Sequence, residues 1–321
     1  RLFRARNDTH LYRRWEAMDG FDLKLMVGMA TKKKAGAIDA NFIATLREIA
    51  LDENLEPLFR ANALSLSSSS SLAREIGENV DPDLVHETRL AVCKSVGDAL
   101  GDDGFGRIKK LHKQESDVDE LQAAGMRALK AALLQLCVAG GVAGAADYAE
   151  KQFNTARNMT DRLSALSTLI HWHEDSSVAD RALTRFHDDF EDQPLVINQW
   201  FSMQALIPGR AGLLRVQELI EHPAFSLENP NRVRGLLGSF AMGNLTGLHL
   251  ADGSGYEFYA DQILALDNVN PQVAARLLTL MNSWRIYEPG RVAKARTALR
   301  RISEHPGLSL DVQEIVDRSL E

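Results

Sequence analysis

Hydrophobic residues recur along this chain at the three- and four-residue spacing of amphipathic helices. Between positions 120 and 138 the apolar residues step by 3, 4 and 3 through Met126, Leu129, Leu133 and Leu136. This spacing places apolar side chains on one face of a helix. No segment shows the strict alternation of apolar and polar residues that marks a half-buried strand, and no hairpin dipeptide joins two such runs. The pattern therefore predicts an all-α protein.

The same reasoning predicts about 17 helices of ordinary length joined by short turns. Predicted helices cover residues 10–33, 38–51, 81–100, 120–138, 176–189, 194–206, 213–220, 288–304 and 308–320, and others begin near 159, 230, 256 and 271. Glycines between 101 and 106 are expected to break the long helix that starts at 81. The serine run at 67–71 is interpreted as a flexible loop.

The segment from 222 to 281 contains an internal repeat. Asn229-Pro230 and Asn270-Pro271 each open a helix, and the two pairs lie 41 residues apart. Asparagine is a good N-cap, and proline fits the first helical turn because the N–H it lacks would be unpaired there anyway. A period near 40 is the length of two antiparallel helices with their turns. The chance match of a few residues is the alternative explanation.

Helix pairs repeated at this period predict an α-solenoid. We expect antiparallel pairs of the HEAT or armadillo kind to curl into a right-handed superhelix, whose concave face is a natural binding wall. Residues 1–9 are expected to be the end of a preceding domain plus a linker, with the tail of a strand at their start. Residues 10–321 are expected to form a single helical domain.

Composition and charge indicate which kinds of partner and which cellular location suit this chain. The net charge of −7 argues against a nucleic-acid surface, which requires a basic patch. The sequence contains no run of 18 apolar residues, which is the length that a membrane-spanning helix needs. The two cysteines, Cys93 and Cys137, lie within helical patterns and are interpreted as small core residues in a reducing compartment. These features favour a cytoplasmic location.

The sequence contains no catalytic or metal-binding motif that stands on its spacing alone. His171-Trp172-His173-Glu174 suggests metal ligands, but residues two apart on a helix point to different sides, so the interpretation is weak. His187-Asp188-Asp189 and His86-Glu87 are interpreted as solvated helix faces. H-E-x-x-H and G-x-S-x-G are both missing from the sequence, and Gly253-Ser254-Gly255 is expected to form a tight turn before a helix.

Two arginines stand at related positions in the repeat. Arg234 and Arg276 each lie in the second turn of a helix that an Asn-Pro pair opens, and Gln272 is one turn before Arg276. Corresponding positions of neighbouring repeats line the same side of a solenoid. Arginine suits the recognition of a carboxylate through paired hydrogen bonds. The alternative is that both arginines are partners in surface salt bridges, which spacing alone favours.

Several motifs together resemble one known family. They are Arg14-Trp15-Glu16-Ala17, Asn158-Met159-Thr160-Asp161-Arg162, Glu221-His222-Pro223-Ala224-Phe225, Asn229-Pro230-Asn231-Arg232-Val233-Arg234, Asp252-Gly253-Ser254-Gly255-Tyr256 and Asn270-Pro271-Gln272-Val273-Ala274. In order and spacing they are similar to the C-terminal helical domain of bacterial aminopeptidase N, in the gluzincin-type family of zinc metalloaminopeptidases. The resemblance covers essentially the whole chain, and the serine run at 67–71 departs from it.

The resemblance implies a function for a longer parent protein, which removes N-terminal residues from peptides with broad specificity. In that family a zinc ion activates water and a glutamate acts as general base, and both belong to an earlier domain. This domain is implied to be inactive alone, to bind no metal, and to close over the catalytic domain as the wall of a peptide chamber. Its implied partners are the catalytic and β-sandwich domains of the same polypeptide and the peptide substrates.

The resemblance also bears on individual residues. Arg234, Gln272 and Arg276 match positions of the family that reach the chamber, so they are expected to contact the peptide beyond the cleaved bond or its C-terminal carboxylate. A stand-alone helical-repeat scaffold that binds a protein partner is the rival hypothesis. It shares the fold and predicts no peptidase. A third idea, that this chain is itself a metallohydrolase, lacks a ligand set in the sequence.

Overall fold

A computed structural model describes residues 1–32, 38–173 and 176–321, and the structural statements below refer to these ranges. The described ranges consist of α-helices joined by short turns, with no β-strand, which confirms the all-α prediction. The helices are α1 Leu2–Asn7, α2 Leu11–Ala30, α3 Ala40–Leu51, α4 Pro57–Ala63, α5 Ser69–Ile76, α6 Pro82–Gln114, α7 Glu120–Ala139, α8 Ala145–Thr155, α9 Met159–Trp172, α10 Ser176–Phe190, α11 Pro194–Ala205, α12 Gly209–Ile220, α13 Pro230–Val233, α14 Ser239–Gly243, α15 Leu245–Leu248, α16 Ser254–Asp267, α17 Pro271–Leu278, α18 Pro289–Ser303 and α19 Leu310–Leu320. Short 3₁₀ turns add Glu115–Asp117, Thr279–Met281 and Trp284–Ile286, and Arg234–Gly238 is a π-helical turn.

The chain begins with a helix, so the strand expected there is wrong. Ala5 of α1 is fully buried, and α1 packs against α2 and α3. The Arg14 guanidinium in α2 donates from Nε to the Ala5 carbonyl at 2.7 Å. Helix α2, predicted over 10–33, spans 11–30, and residue 33 lies outside the described ranges.

The serine run is the second difference from prediction. Ser69 is the first residue of α5, and the Ser68 hydroxyl accepts a hydrogen bond from the Ser71 N–H at 3.1 Å. A serine oxygen that satisfies an otherwise unpaired N–H of the first turn is an N-cap. The run therefore starts a helix, and the loop interpretation fails because capping was not considered for consecutive serines.

The predicted break in the long helix α6 is a kink, after which the helix resumes. Gly101 has φ 49° and ψ −147°, which is outside the helical region, yet helical structure continues to Gln114. One turn earlier, Gly97 meets the end of α7. A Cβ on Gly97 would lie 1.9 Å from the Leu136 carbonyl oxygen, and one on Gly140 would lie 2.3 Å from the Gly97 carbonyl carbon. Two helix backbones touch here, which requires glycine on both.

The contacts divide the described chain into two compact units. Unit 1 comprises residues 1–72 and 87–185, and unit 2 comprises 73–86 and 186–321. In unit 1, helix α7 packs against α4 and α9, and α8 packs against α9. The large buried side chains of unit 1 include Met18, Met26, Phe42, Leu46, Lys130 and Phe153.

Unit 2 joins a short early segment to the C-terminal half of the chain. Its fully buried side chains include Phe201, Phe240, Tyr256, Tyr259 and Trp284. Val80 pairs with the stretch before α18 through two backbone hydrogen bonds, to the Ile286 carbonyl at 2.9 Å and from the Glu288 N–H at 3.0 Å. Helix α16 packs against α17 and α18, and α17 and α18 both pack against α19. Helices α16 and α17, and α18 and α19, therefore pack as pairs, and each helix also contacts its counterpart in the other pair, as a helix-pair repeat requires.

Candidate functional site

Both Asn-Pro pairs of the repeat begin helices as predicted. The Asn229 Oδ1 accepts hydrogen bonds from the N–H groups of Asn231 and Arg232 at 3.1 and 3.2 Å. The Asn270 Oδ1 accepts from the Val273 N–H at 3.2 Å. Each cap satisfies N–H groups that have no partner within the helix, and a proline follows each cap at the first helical position.

The two repeats then diverge within one turn. After Val233 the first becomes the π-helical turn Arg234–Gly238, whereas the second continues as α-helix to Leu278. The π-helical turn buries Leu236 and Leu237 and leaves Arg234 exposed. A π-helical turn holds one extra residue, and such turns frequently occur at functional sites.

Gln272 and Arg276 lie on the exposed face of α17. Val273, Leu277 and Leu278 of the same helix are buried, so the apolar face anchors α17 while the amide and the guanidinium point outward. At i and i+4 the two polar side chains are neighbours on the helix surface. The sequence prediction that they share a face is therefore correct.

The π-helical turn and α17 are packed against each other. A Cβ placed on Gly238 would lie 3.6 Å from the Leu277 Cδ2 and 3.8 Å from the Arg234 Cβ. The segments that carry Arg234 and Arg276 are therefore immediate neighbours within unit 2. We call Arg234, Gln272 and Arg276 the 234/276 surface.

The arginines of the 234/276 surface are not salt-bridge partners. Arg234 Nη1 donates to Asn231 Oδ1 at 3.3 Å, which is a long hydrogen bond to a neutral group. Neither arginine has a carboxylate partner among the described residues. The surface salt-bridge alternative, which spacing alone favoured, is therefore wrong. Two guanidinium groups and an amide remain available to an anion.

Arg232, two residues before Arg234, has the opposite environment, and sequence reasoning assigned it no role. Its guanidinium donates to the carbonyls of Ala224 at 3.0 Å and Pro194 at 2.9 Å, and to Asn198 Oδ1 at 2.6 Å. The group also lies 5.5 Å from the centre of the Phe201 ring. Burial lowers the pKa of Arg232. Arg232 fastens the turn that presents Arg234.

His171, the first histidine of the motif that suggested metal ligands, is partly buried. Burial, with a contribution from Arg89, lowers the pKa of His171 to about 4, so this imidazole is neutral at pH 7. Glu174 of the same motif lies outside the described residues. His187 is half-buried, and its ring centre lies 5.0 Å from Trp200 and 5.1 Å from His222. The solvated-face interpretation of His187 is therefore wrong, since its ring packs in an aromatic cluster.

One group of residues in the described ranges has the spacing of metal ligands. It comprises His112, Glu115 and Asp161. The Lys130 ammonium group already lies between the two carboxylates, 2.8 Å from Asp161 Oδ2 and in contact with Glu115. The Lys130 side chain is fully buried there. Because a fixed cation occupies the position that zinc would take, these residues do not fit the zinc that the resemblance implies for the parent enzyme.

The turn at residues 252–255 follows its prediction in outline. Helix α16 starts at Ser254, two residues earlier than expected, and Asp252 Oδ1 accepts the Ser254 N–H at 3.0 Å. Gly253 has φ 87°, which glycine adopts without strain. The hydrogen bonds from Ser254, followed by the Arg210 guanidinium, lower the pKa of Asp252 to about 2. This carboxylate is therefore a turn-forming group.

Within the described ranges, no helix combines the length and the apolar character that a bilayer crossing demands.

Comparison with known proteins gives the family. The family model described as "Domain of unknown function (DUF3458_C) ARM repeats" matches residues 1–321. Aminopeptidase N of Caulobacter vibrioides is 33% identical over 318 residues, covering 98% of this chain and 36% of the relative. Aminopeptidase N of Escherichia coli is 31% identical over 319 residues, with the same two coverages.

A solved structure agrees with these relatives. The crystal structure of Legionella pneumophila aminopeptidase A in complex with aspartic acid superposes with a TM-score of 0.86 at 29% identity, covering 99% of this chain and 38% of that one. The chain spans about 36% of the length of the curated relatives above. The ARM-repeat description agrees with the predicted α-solenoid, whereas the hand of the superhelix stays a prediction. This chain belongs to the DUF3458_C family of ARM-repeat domains, and it is homologous to the C-terminal domain of aminopeptidase N.

Proposed function

We propose that this chain is the non-catalytic C-terminal domain of a zinc aminopeptidase N that hydrolyses N-terminal residues from peptides. The domain caps the catalytic domain and lines the substrate chamber. Homology over 98% of this chain to a third of two aminopeptidase N proteins supports this proposal. Residues 1–9 would be the end of the preceding domain and 10–321 a single helical domain. The parent protein is proposed to act in the cytoplasm.

In this proposal the hydrolytic chemistry belongs to other domains of the parent. The sequence here contains no H-E-x-x-H, and the metal-like cluster found among the described residues holds the Lys130 ammonium group. A zinc ion bound elsewhere in the parent would supply Lewis-acid activation of water. The residues of this chain bind and orient the peptide without taking part in bond cleavage.

The observation that carries the proposal is the pair of unneutralised guanidinium groups of the 234/276 surface. Arg234 and Arg276 have no carboxylate partner among the described residues, although the segments that carry them are packed together. A peptide that reaches a chamber wall brings its own carboxylate, at its C-terminus or on an acidic side chain. Paired N–H groups of a guanidinium bind such a carboxylate in a fixed geometry. Gln272 adds an amide that can bind the peptide backbone.

The test uses the full-length gene product that carries the chain. We expect Arg276→Ala to raise KM for a tripeptide by about tenfold with little change in kcat, because a charge-assisted hydrogen bond contributes about 1.5–3 kcal/mol. Arg300→Ala is the matched control, since Arg300 is also an exposed helical arginine of unit 2 without a carboxylate partner among the described residues. It should leave both constants unchanged.

A second substrate separates the contact from a general effect on activity. The same tripeptide with a C-terminal amide lacks the carboxylate, so its KM should already be high and should not respond to Arg276→Ala. Unchanged KM for the free acid in both Arg234→Ala and Arg276→Ala would refute the binding role. If the full-length protein has no aminopeptidase activity and no zinc, the scaffold alternative replaces the proposal.

A further inference from the structure

Unit 1 contains a groove that neither the fold nor the proposed chamber wall uses. Its volume is about 340 Å³, and it lies between the segment after α4, the middle of α6 and the middle of α7. Its lining includes Asn62, Ser65, Arg89, Ala128, Ala132 and Gln135. All of these residues belong to unit 1, so the groove is complete within that unit.

Arg89 is the charged group of this groove, and one hydrogen bond holds it in place without occupying its terminal nitrogens. Its Nε donates to the Ser67 carbonyl at 3.1 Å. Its two terminal nitrogens have no hydrogen-bond or ion-pair partner among the described residues. One hydrogen bond therefore fixes the side chain, while the paired N–H groups that recognise a carboxylate stay available.

The rest of the lining suits a small polar anion. The Asn62 and Gln135 side-chain amides have no hydrogen-bond partner among the described residues and can donate beside Arg89. The α7 wall carries the small residues Ala128, Ala131 and Ala132, which leave room for the backbone of a ligand to approach. None of the described residues that line the groove is acidic.

We propose that the Arg89 groove is a carboxylate-binding site for the C-terminus of a short peptide or a small amino-acid derivative. Arg89 binds the carboxylate through its terminal nitrogens, and Asn62 and Gln135 donate to the adjoining carbonyl groups. This site is independent of the 234/276 surface, which belongs to unit 2. It would bind its ligand whether or not the parent protein is a peptidase.

A buried carboxylate next to the groove makes the binding depend on pH. Asp22 is only 4% exposed, and its Oδ2 accepts a hydrogen bond from the Ser67 N–H at 2.7 Å. Asp22 and Arg89 are therefore hydrogen-bonded to the N–H and the carbonyl of the same residue, Ser67. Burial raises the pKa of Asp22 to about 6, and Asp19 acts in the same direction, whereas the Ser67 hydrogen bonds and Arg89 act in the opposite direction. Cys93 is the other titratable neighbour on α6. An anionic ligand at Arg89 disfavours ionised Asp22. Affinity should therefore rise as the pH falls from 7.5 to 5.5.

The experiment is isothermal titration of the full-length gene product with N-acetyl-dialanine, compared with N-acetyl-dialanine amide. The acetyl group blocks the amino terminus, so the probe is not cleaved by an aminopeptidase. We expect the acid to bind about tenfold more tightly than the amide, which corresponds to one charge-assisted contact. Equal binding of the two probes, or no binding of the acid at millimolar concentration, would overturn the proposal.

Variants assign the binding to this groove. Arg89→Gln should weaken binding of the acid by about tenfold, whereas Arg300→Ala, at an exposed position of unit 2 with no proposed binding role, should leave it unchanged. Loss of binding in Arg276→Ala but not in Arg89→Gln would overturn the assignment, although it would support the proposed chamber contact. If Arg89→Gln lowers Tm, Gln135→Glu adds a negative charge while keeping the Arg89–Ser67 bond, and it should abolish binding. Asp22→Asn should remove the pH dependence and tighten binding at pH 7.5.

Discussion

The two units each bury a titratable nitrogen, and they do so in opposite ways. In unit 1 the Lys130 ammonium group is fully buried between the carboxylates of Glu115 and Asp161. In unit 2 the His249 imidazole is buried against Tyr256, whose hydroxyl lies 2.8 Å from His249 Nδ1, and against the Tyr287 ring at 3.8 Å. The Lys130 cluster buries a charge with its partners, whereas the His249 cluster buries a neutral ring.

The difference shows which charges of this chain are available for binding. A buried charge must be paired, and a buried base without an acid loses its proton. Burial, followed by the nearby Arg291, lowers the pKa of His249 to about 3. Neither interior cluster can therefore offer a free cation to a ligand. The cations considered above that contact no carboxylate among the described residues, Arg234, Arg276 and Arg89, all lie at exposed faces or in a groove.

The largest effect is expected from breaking the Lys130 cluster. Lys130→Met keeps the length of the side chain but leaves the two carboxylates without their cation. We expect the free energy of unfolding to fall by about 3–5 kcal/mol, as for other buried ion pairs that lose one partner. Urea unfolding at pH 7 measures it. Lys94→Met, at an exposed position of the same unit, is the control and should change stability by about 0.5 kcal/mol or less.

An intermediate effect is expected from the pH dependence of the His249 cluster. The pKa of His249 is below its ordinary 6.5 in the folded state, so the unfolded chain binds the proton first. The stability that depends on neutral His249 is fully present above pH 6.5 and is lost as the pH falls toward 3. Lowering the pH from 7.5 to 5.5 should therefore reduce the contribution of His249 to the free energy of unfolding by about 1.4 kcal/mol. The His249→Gln variant should lose less stability over this interval than the protein without the substitution.

The His249 comparison is made between proteins because other groups also titrate in this interval. His171, with its lowered pKa, acts in the same direction, whereas Asp22, with its raised pKa, acts in the opposite one. Both groups are present with and without the His249→Gln substitution, so their contributions cancel when the pH-dependent stabilities of the two proteins are subtracted. Parallel pH profiles for the two proteins would show that His249 is not the titrating group.

The smallest effect on stability is expected at the 234/276 surface. Arg276→Ala removes an exposed side chain that has no partner among the described residues, and alanine is at least as favourable in a helix. The free energy of unfolding should change by no more than about 0.5 kcal/mol. Thermal unfolding of the variant, run beside Lys130→Met, measures the contrast. A loss comparable to that of Lys130→Met would mean that Arg276 supports the fold, and the binding role would then lose its basis.

Local signals made much of the fold predictable. Asn158, Asn229 and Asn270 cap helices through their own side chains, as their positions before apolar periodic segments indicated. The glycines near 101 marked a real break in backbone geometry. Ser68 gave a correct physical signal that was misinterpreted, because a hydroxyl before a helix is a cap whether or not more serines follow.

Only the part of the candidate site that follows from the spacing of residues along one helix could be predicted from the sequence. The shared face of Gln272 and Arg276 follows from i and i+4, but the missing carboxylate partners depend on tertiary packing. Sequence reasoning also missed the Lys130 cluster, because its acidic residues stand 15 and 31 positions away from the lysine. Contacts over such separations leave no periodic pattern. The Arg89 groove was missed for the same reason, since three separate segments build it.

The π-helical turn at Arg234–Gly238 also affects the direction of the Arg234 side chain. An α-helix rotates by about 100° per residue, and a π-helical turn accommodates one residue that an α-helix would not. Removing one residue from the turn would restore regular winding and swing the preceding segment round by about that angle. Arg234 would then exchange its outward direction with a neighbour whose side chain packs inward. The direction of this guanidinium thus depends on the π-helical winding, so we expect a one-residue deletion in the turn to change binding without altering any side chain that touches the ligand.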